Sequence, residues 1–314
     1  MKKVIVITGG DSGLGFETAR VLAKDTSNIL LLGCPDEDSA QVAVKKLQAV
    51  SGNTNIQSLA LDLASFASVR RFAADIIRIA PKIDVLACNA GIQIGHGTQL
   101  TTEGVEKTFG VNHLGHFLLT KLLLPFIDTT TGRIVPVSSG THFNPAIWQS
   151  ALFGIPAADY TGWQSVAAPD SFKDYPEKSR GYVRYSTSKL CIVLFGYALN
   201  RKLRERGSGI MVNIFDPGLM PGTGLARESA AMAYWAWKNL MPVMRIFNGV
   251  YSVKTSAAAY SKLLTAPGFN DITGKYFEGL KEKRSSIHSY DTQLWEDLWK
   301  GSEQLIGEPF NVDQ

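Results

Sequence analysis

Tyr185 and Lys189 stand four positions apart within residues 182–206, a stretch whose apolar spacing predicts a helix. Residues four apart lie on one face of a helix, so the two side chains can converge on one site. A phenol with its ordinary pKa of about 10 carries protons poorly near neutrality unless a nearby cation favours the phenolate. Lys189 can supply that cation. The pair therefore predicts acid–base chemistry, although ten tyrosines and 32 basic residues make one such spacing expected by chance alone.

A glycine-rich loop, TGGDSGLG over residues 8–15, follows the first predicted strand and precedes a predicted helix. Glycines at 9, 13 and 15 allow positive φ in the turn, let the backbone approach a ligand, and let the helix pack closely on the strand. The start of the helix then presents free backbone N–H groups and a partial positive charge, which suit a pyrophosphate. A glycine triplet alone is a weak signal in a chain with 29 glycines, but the order strand, loop and helix predicts a dinucleotide-binding site.

Short β-branched runs alternate with longer stretches of helical period along the chain. The predicted strands are Val4–Ile7, Asn28–Leu32, Ile56–Leu61, Ile83–Cys88, Arg133–Val137 and Ile210–Phe215. The predicted helices cover residues 14–25, 38–50, 65–80, 103–127 and 182–206. The strands are continuous apolar runs, as expected when both faces of a sheet are covered. This order predicts the α/β class, with a Rossmann-type doubly wound parallel sheet in a single domain over residues 1–314.

Further motifs follow the glycine loop in order along the chain. They are Asp62-Leu63 after the third strand, Asn89-Ala90-Gly91 after the fourth, Val111-Asn112-His113 in a helix, Ser138-Ser139 at the end of the fifth strand, and Asp216-Pro217-Gly218 after the sixth. Together with the glycine loop and the Tyr-x-x-x-Lys pair, this series resembles the short-chain dehydrogenase/reductase family over nearly the whole chain. The resemblance implies a nicotinamide-dependent oxidoreductase that acts on a carbonyl or an alcohol.

The resemblance also implies roles for individual residues. Tyr185 would exchange a proton with the substrate oxygen, and Ser139 would polarise the same oxygen, with Ser138 as the alternative hydroxyl. Lys189 would bind the nicotinamide ribose, and Asn112 would help to hold a water connected to the lysine. The cofactor-binding set carried over is Gly9, Asp11, Ser12, Gly13, Leu14, Gly15, Asp36, Asp62, Leu63, Asn89, Ala90, Gly91, Tyr185, Lys189, Pro217, Gly218 and Thr223.

The end of the second strand, LGCPDE over residues 32–37, bears on the choice between NAD and NADP. An acidic side chain accepts hydrogen bonds from the 2′-hydroxyl of NAD, whereas arginine pairs with the 2′-phosphate of NADP. Compared with the family, Pro35 stands where NADP-dependent members carry arginine, and Cys34 where NAD-dependent members carry aspartate. The members that this chain resembles most favour NADP. We therefore expect NADP, while Asp36 and Glu37 leave NAD open.

Residues 140–180 lengthen the connection between Ser139 and Tyr185 and predict an insertion. Together with the segments VNHLGHFLLTKLLLP and GVYSVKTSAAAYSKLLTAP, this insertion resembles the retinol dehydrogenase and light-dependent protochlorophyllide reductase branch of the family. The light-dependent protochlorophyllide reductases carry cysteine where this chain has Leu219, and this difference weighs against a photoreductase. Thr223 lies one position later than the threonine of the family motif.

Residues 226–251 are rich in tryptophan and methionine. We interpret this segment as a helical lid over the substrate, with a core helix pair and a membrane-surface helix as alternatives. The lid and the insertion predict a bulky, apolar ketone, aldehyde or alcohol as substrate. Two other functions stay open at this stage: a light-dependent protochlorophyllide-type reductase and a non-catalytic sensor that binds NAD(P).

Charge and composition limit the partners. The net charge is +4 without a run of like charges, so the chain lacks the basic stripe that nucleic-acid binding needs. His113 and His116 have no cysteine or acidic residue at zinc spacing, and we expect no metal. The apolar run at residues 4–7 is too short for a signal peptide, and no apolar stretch of about 18 residues occurs. We expect a cytoplasmic protein without a transmembrane segment, and pairing through the helices of Asn112 and Tyr185 leaves a homodimer open.

Overall fold

Six parallel strands form the central sheet in the computed structural model, which describes residues 2–147, 150–151, 154–220 and 249–312. The strands are β1 (Val4–Thr8), β2 (Ile29–Cys34), β3 (Ile56–Ala60), β4 (Val85–Cys88), β5 (Arg133–Pro136) and β6 (Met211–Val212). Their order across the sheet is β3-β2-β1-β4-β5-β6, and each pairing is parallel. The predicted doubly wound α/β sheet is confirmed.

Helices cover both faces of this sheet. In chain order they are α1 (Gly13–Leu22), α2 (Glu37–Ser51), α3 (Phe66–Ile79), α4 (Lys107–Phe109 and Gly115–Leu123, joined by the π-helical turn Gly110–Leu114), α5 (Trp163–Ala167), α6 (Glu177–Glu205), α7 (Val253–Thr265) and α8 (Thr292–Ile306). One apolar cluster packs α1, α2 and α7 on one face, and a larger one packs α3, α4, α6 and α8 on the other.

The direction of winding reverses between β1 and β4, which are neighbours in the centre of the sheet. Such a reversal leaves a crevice at the carboxyl ends of the strands, where ligands of this fold class bind. The glycine loop follows β1, and its first turn is fixed by a hydrogen bond from the N–H of Gly9 to the carbonyl oxygen of Gly33 (2.7 Å). The fold therefore places the loop, the end of β2 and residues 89–91 around one crevice.

Several predicted helix boundaries were wrong: the helix predicted over 14–25 ends at Leu22, and the helix predicted to 127 ends at Leu123. The helix predicted over 103–127 begins at Lys107, because the Thr101 N–H bonds the Val105 carbonyl (2.8 Å) in a turn and the carboxylate of Glu106 then caps the N–H of Phe109 (2.8 Å). The helix predicted from residue 182 begins earlier, at Glu177.

The predicted sixth strand, Ile210–Phe215, is two strands. The first is β6, and the second is β7 (Ile214–Asp216), which pairs in parallel with β8 (Tyr276–Glu278), itself antiparallel to β9 (Lys281–Lys283). Asn213 separates them, because its side chain donates to the carbonyl of Ile272 (2.6 Å) and accepts from the N–H of Lys275 (3.0 Å). A bridge between Val137 and Phe215 keeps β7 at the edge of the main sheet.

The predicted insertion, as far as it is described, packs against the C-terminal helix α8. Asp297 on α8 accepts hydrogen bonds from the Tyr160 hydroxyl (2.8 Å) and the Trp163 N–H (3.0 Å). Trp299 of the same helix stacks on Phe195 of α6 (ring centroids 6.1 Å apart) and meets Phe117 of α4 edge-on (5.1 Å). Helix α8 thus lies on surfaces of α4 and α6, the two helices through which we considered pairing of two chains.

Arg184 ties the insertion to the body of the protein. Its guanidinium, 2% exposed, donates to the carbonyl and hydroxyl oxygens of Ser171 and to acceptors in residues 97–98, at 3.0 to 3.3 Å. Glu106, which is also buried, contributes an attractive charge. A single arginine therefore joins two separate segments, the one at Ser171 and the one at residues 97–98, by hydrogen bonds.

We expect Arg184→Met to lower the free energy of unfolding by about 3 kcal/mol, because buried acceptors lose their donors and Glu106 loses its nearby cation. Urea denaturation followed by circular dichroism measures this change. Lys173→Met is the matched control: it removes an exposed ion pair with Asp170 and should leave the unfolding midpoint unchanged. Equal effects of the two variants would contradict the anchoring role of Arg184.

Candidate active site

The side chains of Tyr185 and Lys189 lie side by side on α6, at the carboxyl end of β5. The ammonium of Lys189 is 5.5 Å from the centroid of the Tyr185 ring and donates a 3.0 Å hydrogen bond to the carbonyl oxygen of Val137. Both side chains are buried. The sequence spacing of four thus places the pair together on one face, where helix and strand meet.

The two serines after β5 make different contacts. The hydroxyl of Ser138 donates to the backbone carbonyl of Lys189 (2.8 Å) and so fastens the strand to α6. The hydroxyl of Ser139 lies close enough to the phenol of Tyr185 to lower its pKa, and it accepts from the N–H of Thr141 (3.3 Å). Ser139 is therefore the serine whose side chain meets the tyrosine.

His142, which the sequence did not single out, fixes the turn that carries Ser139. Its Nε2 accepts from the N–H of Ser286 (3.0 Å), so the ring proton is on Nδ1, which donates to the carbonyl of Ser139 (2.7 Å). Burial lowers the pKa of His142 to about 4, which keeps the ring neutral near pH 7. The C-terminal segment thereby supports the turn after β5.

Asn112 lies in the π-helical turn of α4. Its side chain pairs with the backbone of Ile92 in both directions, accepting from the N–H (2.7 Å) and donating to the carbonyl (2.9 Å), and also donates to the hydroxyl of Ser188 (2.9 Å). A Cβ at Gly91 would lie 3.2 Å from the Asn112 amide oxygen and 3.3 Å from the Lys189 ammonium. Asn112 therefore joins the segment after β4 to α6, close to the lysine. Single π-helical turns of this kind occur often at functional sites.

Burial controls the protonation of the tyrosine and the lysine. It lowers the pKa of Lys189 to about 8, against the opposing attraction of the Asp216 carboxylate. It raises the pKa of Tyr185 above its ordinary value; the Ser139 hydroxyl offsets part of this rise, and the charge of Asp216 adds to it. At neutral pH the lysine is therefore an ammonium and the tyrosine a phenol that can donate its proton.

A chain of hydrogen bonds centred on Thr8 joins β1 to Asn112. The Thr8 hydroxyl oxygen accepts from the N–H groups of Asn89 and Ala90 (2.9 Å each), so its own proton points to Nε2 of His116 (2.9 Å). The other nitrogen, Nδ1, then donates to the carbonyl of Asn112 (3.1 Å). Burial lowers the pKa of His116 to about 4, consistent with this neutral tautomer. The position of Asn112 is thus coupled to the crevice beside β1.

The glycine loop fits a pyrophosphate. Ser12 begins α1 without a side-chain capping bond, and the first turn carries no acidic residue. Gly13 has φ +54° with open space where a Cβ would point, whereas a Cβ at Gly15 would collide with the carbonyl of Gly9. The exposed N–H groups at the start of α1 are therefore available to an anion, as dinucleotide binding requires.

Other predicted cofactor residues line the same edge of the sheet, some with structural contacts. The Asn89 amide donates to the carbonyls of Thr8 (2.8 Å) and Gly9 (3.3 Å), and the Pro217 carbonyl accepts from Ser256 (2.7 Å). Residues 62 and 63 follow β3, where Asp62 is exposed and Leu63 is buried.

Asp36 is the N-cap of α2, and its carboxylate accepts the Ser39 N–H (2.7 Å). Its position at the end of β2 agrees with the prediction, but the carboxylate is engaged by the helix. Thr223 and nearly all of the predicted lid, 226–251, lie outside the described residues.

Neither a metal-ligand cluster nor a membrane-spanning helix occurs in the described part of the chain. No group of three or more His, Cys, Asp or Glu side chains in that part could hold a metal ion. None of its helices combines the length and the apolar composition that crossing a membrane needs.

Comparison with known proteins bears directly on this site. The model of the short chain dehydrogenase family matches residues 3–152. Retinol dehydrogenase 13 of Homo sapiens is 35% identical over 311 residues, 97% of this chain and 85% of that protein. The chain belongs to the short-chain dehydrogenase/reductase family. It lies in the retinol dehydrogenase-like branch, and it is an oxidoreductase that depends on a nicotinamide dinucleotide.

Two more similarities extend over the whole dehydrogenase. Polyprenol dehydrogenase of Danio rerio is 32% identical over 310 residues, 97% of this chain and 87% of that protein. The crystal structure of an uncharacterised protein from Mycobacterium paratuberculosis superposes with a TM-score of 0.72 at 26% identity, covering 98% of this chain and 95% of that one. The similarity to members of the family therefore extends over nearly the whole chain.

We expect Thr8→Val to lower the free energy of unfolding by about 2 kcal/mol, because the N–H of Ala90 and the ring of His116 would lose their partner and the N–H of Asn89 would keep only the carbonyl of Ala87 (3.0 Å). Thr8→Ser keeps the hydroxyl and loses one methyl group, so it should cost about 1 kcal/mol. Urea denaturation compares the two variants. A valine variant as stable as the serine variant would show that the hydroxyl does not hold residues 89 and 90.

Proposed function

We propose that this dehydrogenase interconverts a bulky, apolar ketone or aldehyde and the corresponding alcohol, with Tyr185 as the proton donor and acceptor. The observation that carries the proposal is the convergence of a buried phenol, a buried ammonium and the Ser139 hydroxyl at the carboxyl end of β5. When bound, the nicotinamide supplies or accepts the hydride. The side chains of this chain then manage the proton and the charge on the substrate oxygen.

Tyr185 donates its proton to the carbonyl oxygen in the direction of reduction and removes it from the alcohol in oxidation. The Ser139 hydroxyl donates its one proton in a hydrogen bond to the same substrate oxygen. Lys189 holds a positive charge beside the ring, which stabilises the phenolate relative to the phenol. General acid–base catalysis by such a group contributes roughly 10²–10⁴ to the rate.

Lys189 and Asn112 have further proposed roles next to the cofactor. The ammonium retains two donors beyond its bond to Val137, and these suit the hydroxyls of the nicotinamide ribose. The Asn112 amide is fully engaged by Ile92 and Ser188. We therefore assign Asn112 to positioning the segment at residues 91–92 and the π-helical turn. Its carbonyl, which already accepts from His116, is the group left for an ordered water.

The proposal of a bulky apolar substrate rests on the segment at 226–251, which we interpret as the lid, and on the names of two relatives. These relatives are a retinol dehydrogenase and a polyprenol dehydrogenase, and both names refer to long isoprenoid alcohols. Of the aromatic residues in the described insertion, Tyr160 and Trp163 bond Asp297 of α8, and Phe143 contacts His142 and Tyr276. We therefore propose that lid residues, more than the insertion, select the substrate.

We propose NADP as the cofactor. Position 34 is a cysteine instead of an aspartate, and the Asp36 carboxylate is occupied by capping α2, so neither stands free for a 2′-hydroxyl. A groove of about 440 Å³ between the glycine loop and α2 is lined by Asp11, Asp38 and Lys46 among others. Lys46 favours a phosphate in this groove, and the two carboxylates oppose it.

The proposed setting of the reaction is the cytoplasm, with a small apolar molecule as the partner. A homodimer through α4 and α6, as considered from the sequence, would require surfaces on which α8 lies. We therefore propose that any pairing of this dehydrogenase uses another surface.

We expect Tyr185→Phe to lower kcat/KM for reduction of an apolar ketone by at least about 10²-fold, because the proton donor is lost. Affinity for NADPH should change by less than threefold, since the lysine and the glycine loop remain. Tyr182→Phe, one turn earlier on the same helix, is the control and should keep full activity. The assay is oxidation of NADPH in the dark, followed at 340 nm.

Unchanged turnover in Tyr185→Phe would show that the mechanism is wrong. Turnover of a tetrapyrrole that requires light would point to a photoreductase. Tight NADPH binding by the wild type without turnover of any carbonyl compound would point to a sensor.

We expect NADPH to bind more tightly than NADH in a fluorescence titration. Asp11→Asn should strengthen binding of NADPH several-fold and leave NADH within twofold, because a carboxylate lining the groove would repel a 2′-phosphate. Asp170→Asn, which removes an exposed carboxylate in the insertion, is the control. Tighter binding of NADH, with both dinucleotides unaffected by Asp11→Asn, would contradict the assignment.

A further inference from the structure

Asp216 is a buried carboxylate at the end of β7 that the mechanism above does not use. It is 2% exposed. One carboxylate oxygen accepts from the hydroxyl of Tyr276 (2.6 Å), and the other accepts from the N–H of Gly218 (2.8 Å). Both of these donors are neutral. Asp216 therefore carries a buried charge without a cation at hydrogen-bonding distance in the described part of the chain.

The carboxylate lies next to the catalytic groups. Phe215 bridges to Val137 and accepts the N–H of Ser138 (2.8 Å), which aligns Asp216 with the turn after β5. A Cβ at Gly140, the residue after Ser139, would be 3.5 Å from the carboxylate. The ammonium of Lys189 bonds the carbonyl of the same Val137. The negative charge of Asp216 and the positive charge of Lys189 therefore both lie next to the carboxyl end of β5.

Burying this carboxylate destabilises its charged form. Burial raises the pKa of Asp216 to about 6, the hydrogen bonds from Tyr276 and Gly218 lower it, and Glu278 and Lys283 on the neighbouring strands act in opposite directions. Asp216 is still ionised near pH 7 and above. Locally unfavourable groups of this kind are kept mainly where function needs them.

The groups around Lys189 indicate that the charge of Asp216 acts on the lysine ammonium. The groups that face its ammonium from the packed elements are Tyr185 on its own helix, His116 on α4 and Asp216 on β7. The histidine is neutral, and the tyrosine is a phenol. Among the described residues that act on this ammonium, Asp216 alone is a carboxylate.

We propose that Asp216 is a positioning residue whose carboxylate keeps Lys189 in the ammonium form that binds the cofactor ribose. This inference rests on the proposed function, because it gives the charge of Asp216 a role in the active site around Tyr185 and Lys189. Asp216 does not touch the substrate and acts through the lysine.

The test is the pH dependence of NADPH affinity between pH 6 and 10, measured by fluorescence in wild type, Asp216→Asn and Tyr276→Phe. In the wild type, affinity should fall as pH rises through about 8, where the lysine loses its proton. Asp216→Asn should move this fall about one pH unit lower, so that affinity is about fivefold weaker at pH 8 and within twofold of wild type at pH 6. Tyr276→Phe removes a hydrogen bond and keeps the carboxylate, so its curve should follow the wild type.

Thermal unfolding separates this role from a merely structural one. A carboxyl group whose pKa is raised in the folded state stabilises the fold at low pH and loses that contribution as pH rises from 3.8 through about 6. Asparagine carries no charge, so Asp216→Asn does not bury a carboxylate at pH 8. At that pH the Tm of the variant should therefore equal or exceed the Tm of the wild type. Asp216→Ser, which keeps an acceptor for Gly218, should give the same shift in affinity if the asparagine variant folds poorly.

An unshifted curve in a folded Asp216→Asn or Asp216→Ser would overturn the proposal, as would equal shifts in Asp216→Asn and Tyr276→Phe. The binding readout is independent of turnover. Failure of the proposed function would instead appear as a wild-type protein that binds NADPH and reduces no carbonyl compound.

Discussion

The burial of a positive charge at the carboxyl end of β5 is the constraint on which the rest of this site depends. An ammonium taken out of water is costly unless polar groups surround it, and the pKa of Lys189, lowered to about 8, records that cost. The carbonyl of Val137, the ring of Tyr185 and the carboxylate of Asp216 together make the charge tolerable at neutral pH. The same charge makes the phenol useful, since a proton leaves it more readily next to a cation.

The parallel sheet brings these groups together from distant parts of the chain. Strands β1, β4, β5 and β7 all end at one edge, and the polar residues that follow them meet there because the winding reverses between β1 and β4. Neutral histidines then fix the loops: His116 joins Thr8 to Asn112, and His142 joins Ser139 to the C-terminal segment. Each of them pairs fully with fixed donors and acceptors, so the loops keep their positions without adding further charge.

Much of this could be predicted from the sequence, because it depends on local pattern. The strand positions follow from short β-branched runs, and the convergence of Tyr185 and Lys189 follows from a spacing of four. The choice of Ser139 followed from its motif, and the contact with Tyr185 agrees with it. The cap at Asp36 also had a local signal, since an aspartate stands three positions before Ser39 at the start of a helix.

What the sequence did not predict depends on contacts between distant segments. The break at Asn213 depends on contacts with the segment at 272–275. The hydrogen bonds from Thr8 to Asn112 join a strand and a helix that are adjacent in space although more than 100 residues separate them in sequence. The burial of Asp216 likewise requires Tyr276. No local sequence pattern predicts such partners. The motif around Asp216 could be recognised in the sequence, but the charged groups near its carboxylate could not.

The most direct test of this account is the pH dependence of kcat/KM for reduction of an apolar ketone by the wild-type dehydrogenase between pH 5 and 10. The buried ammonium predicts a nearly constant rate from pH 6 to 7 and a fall governed by a pKa of about 8, because His116 and His142 stay neutral throughout that range. A fall centred near the ordinary histidine pKa of about 6.5, or a rate that does not change up to pH 10, would contradict it.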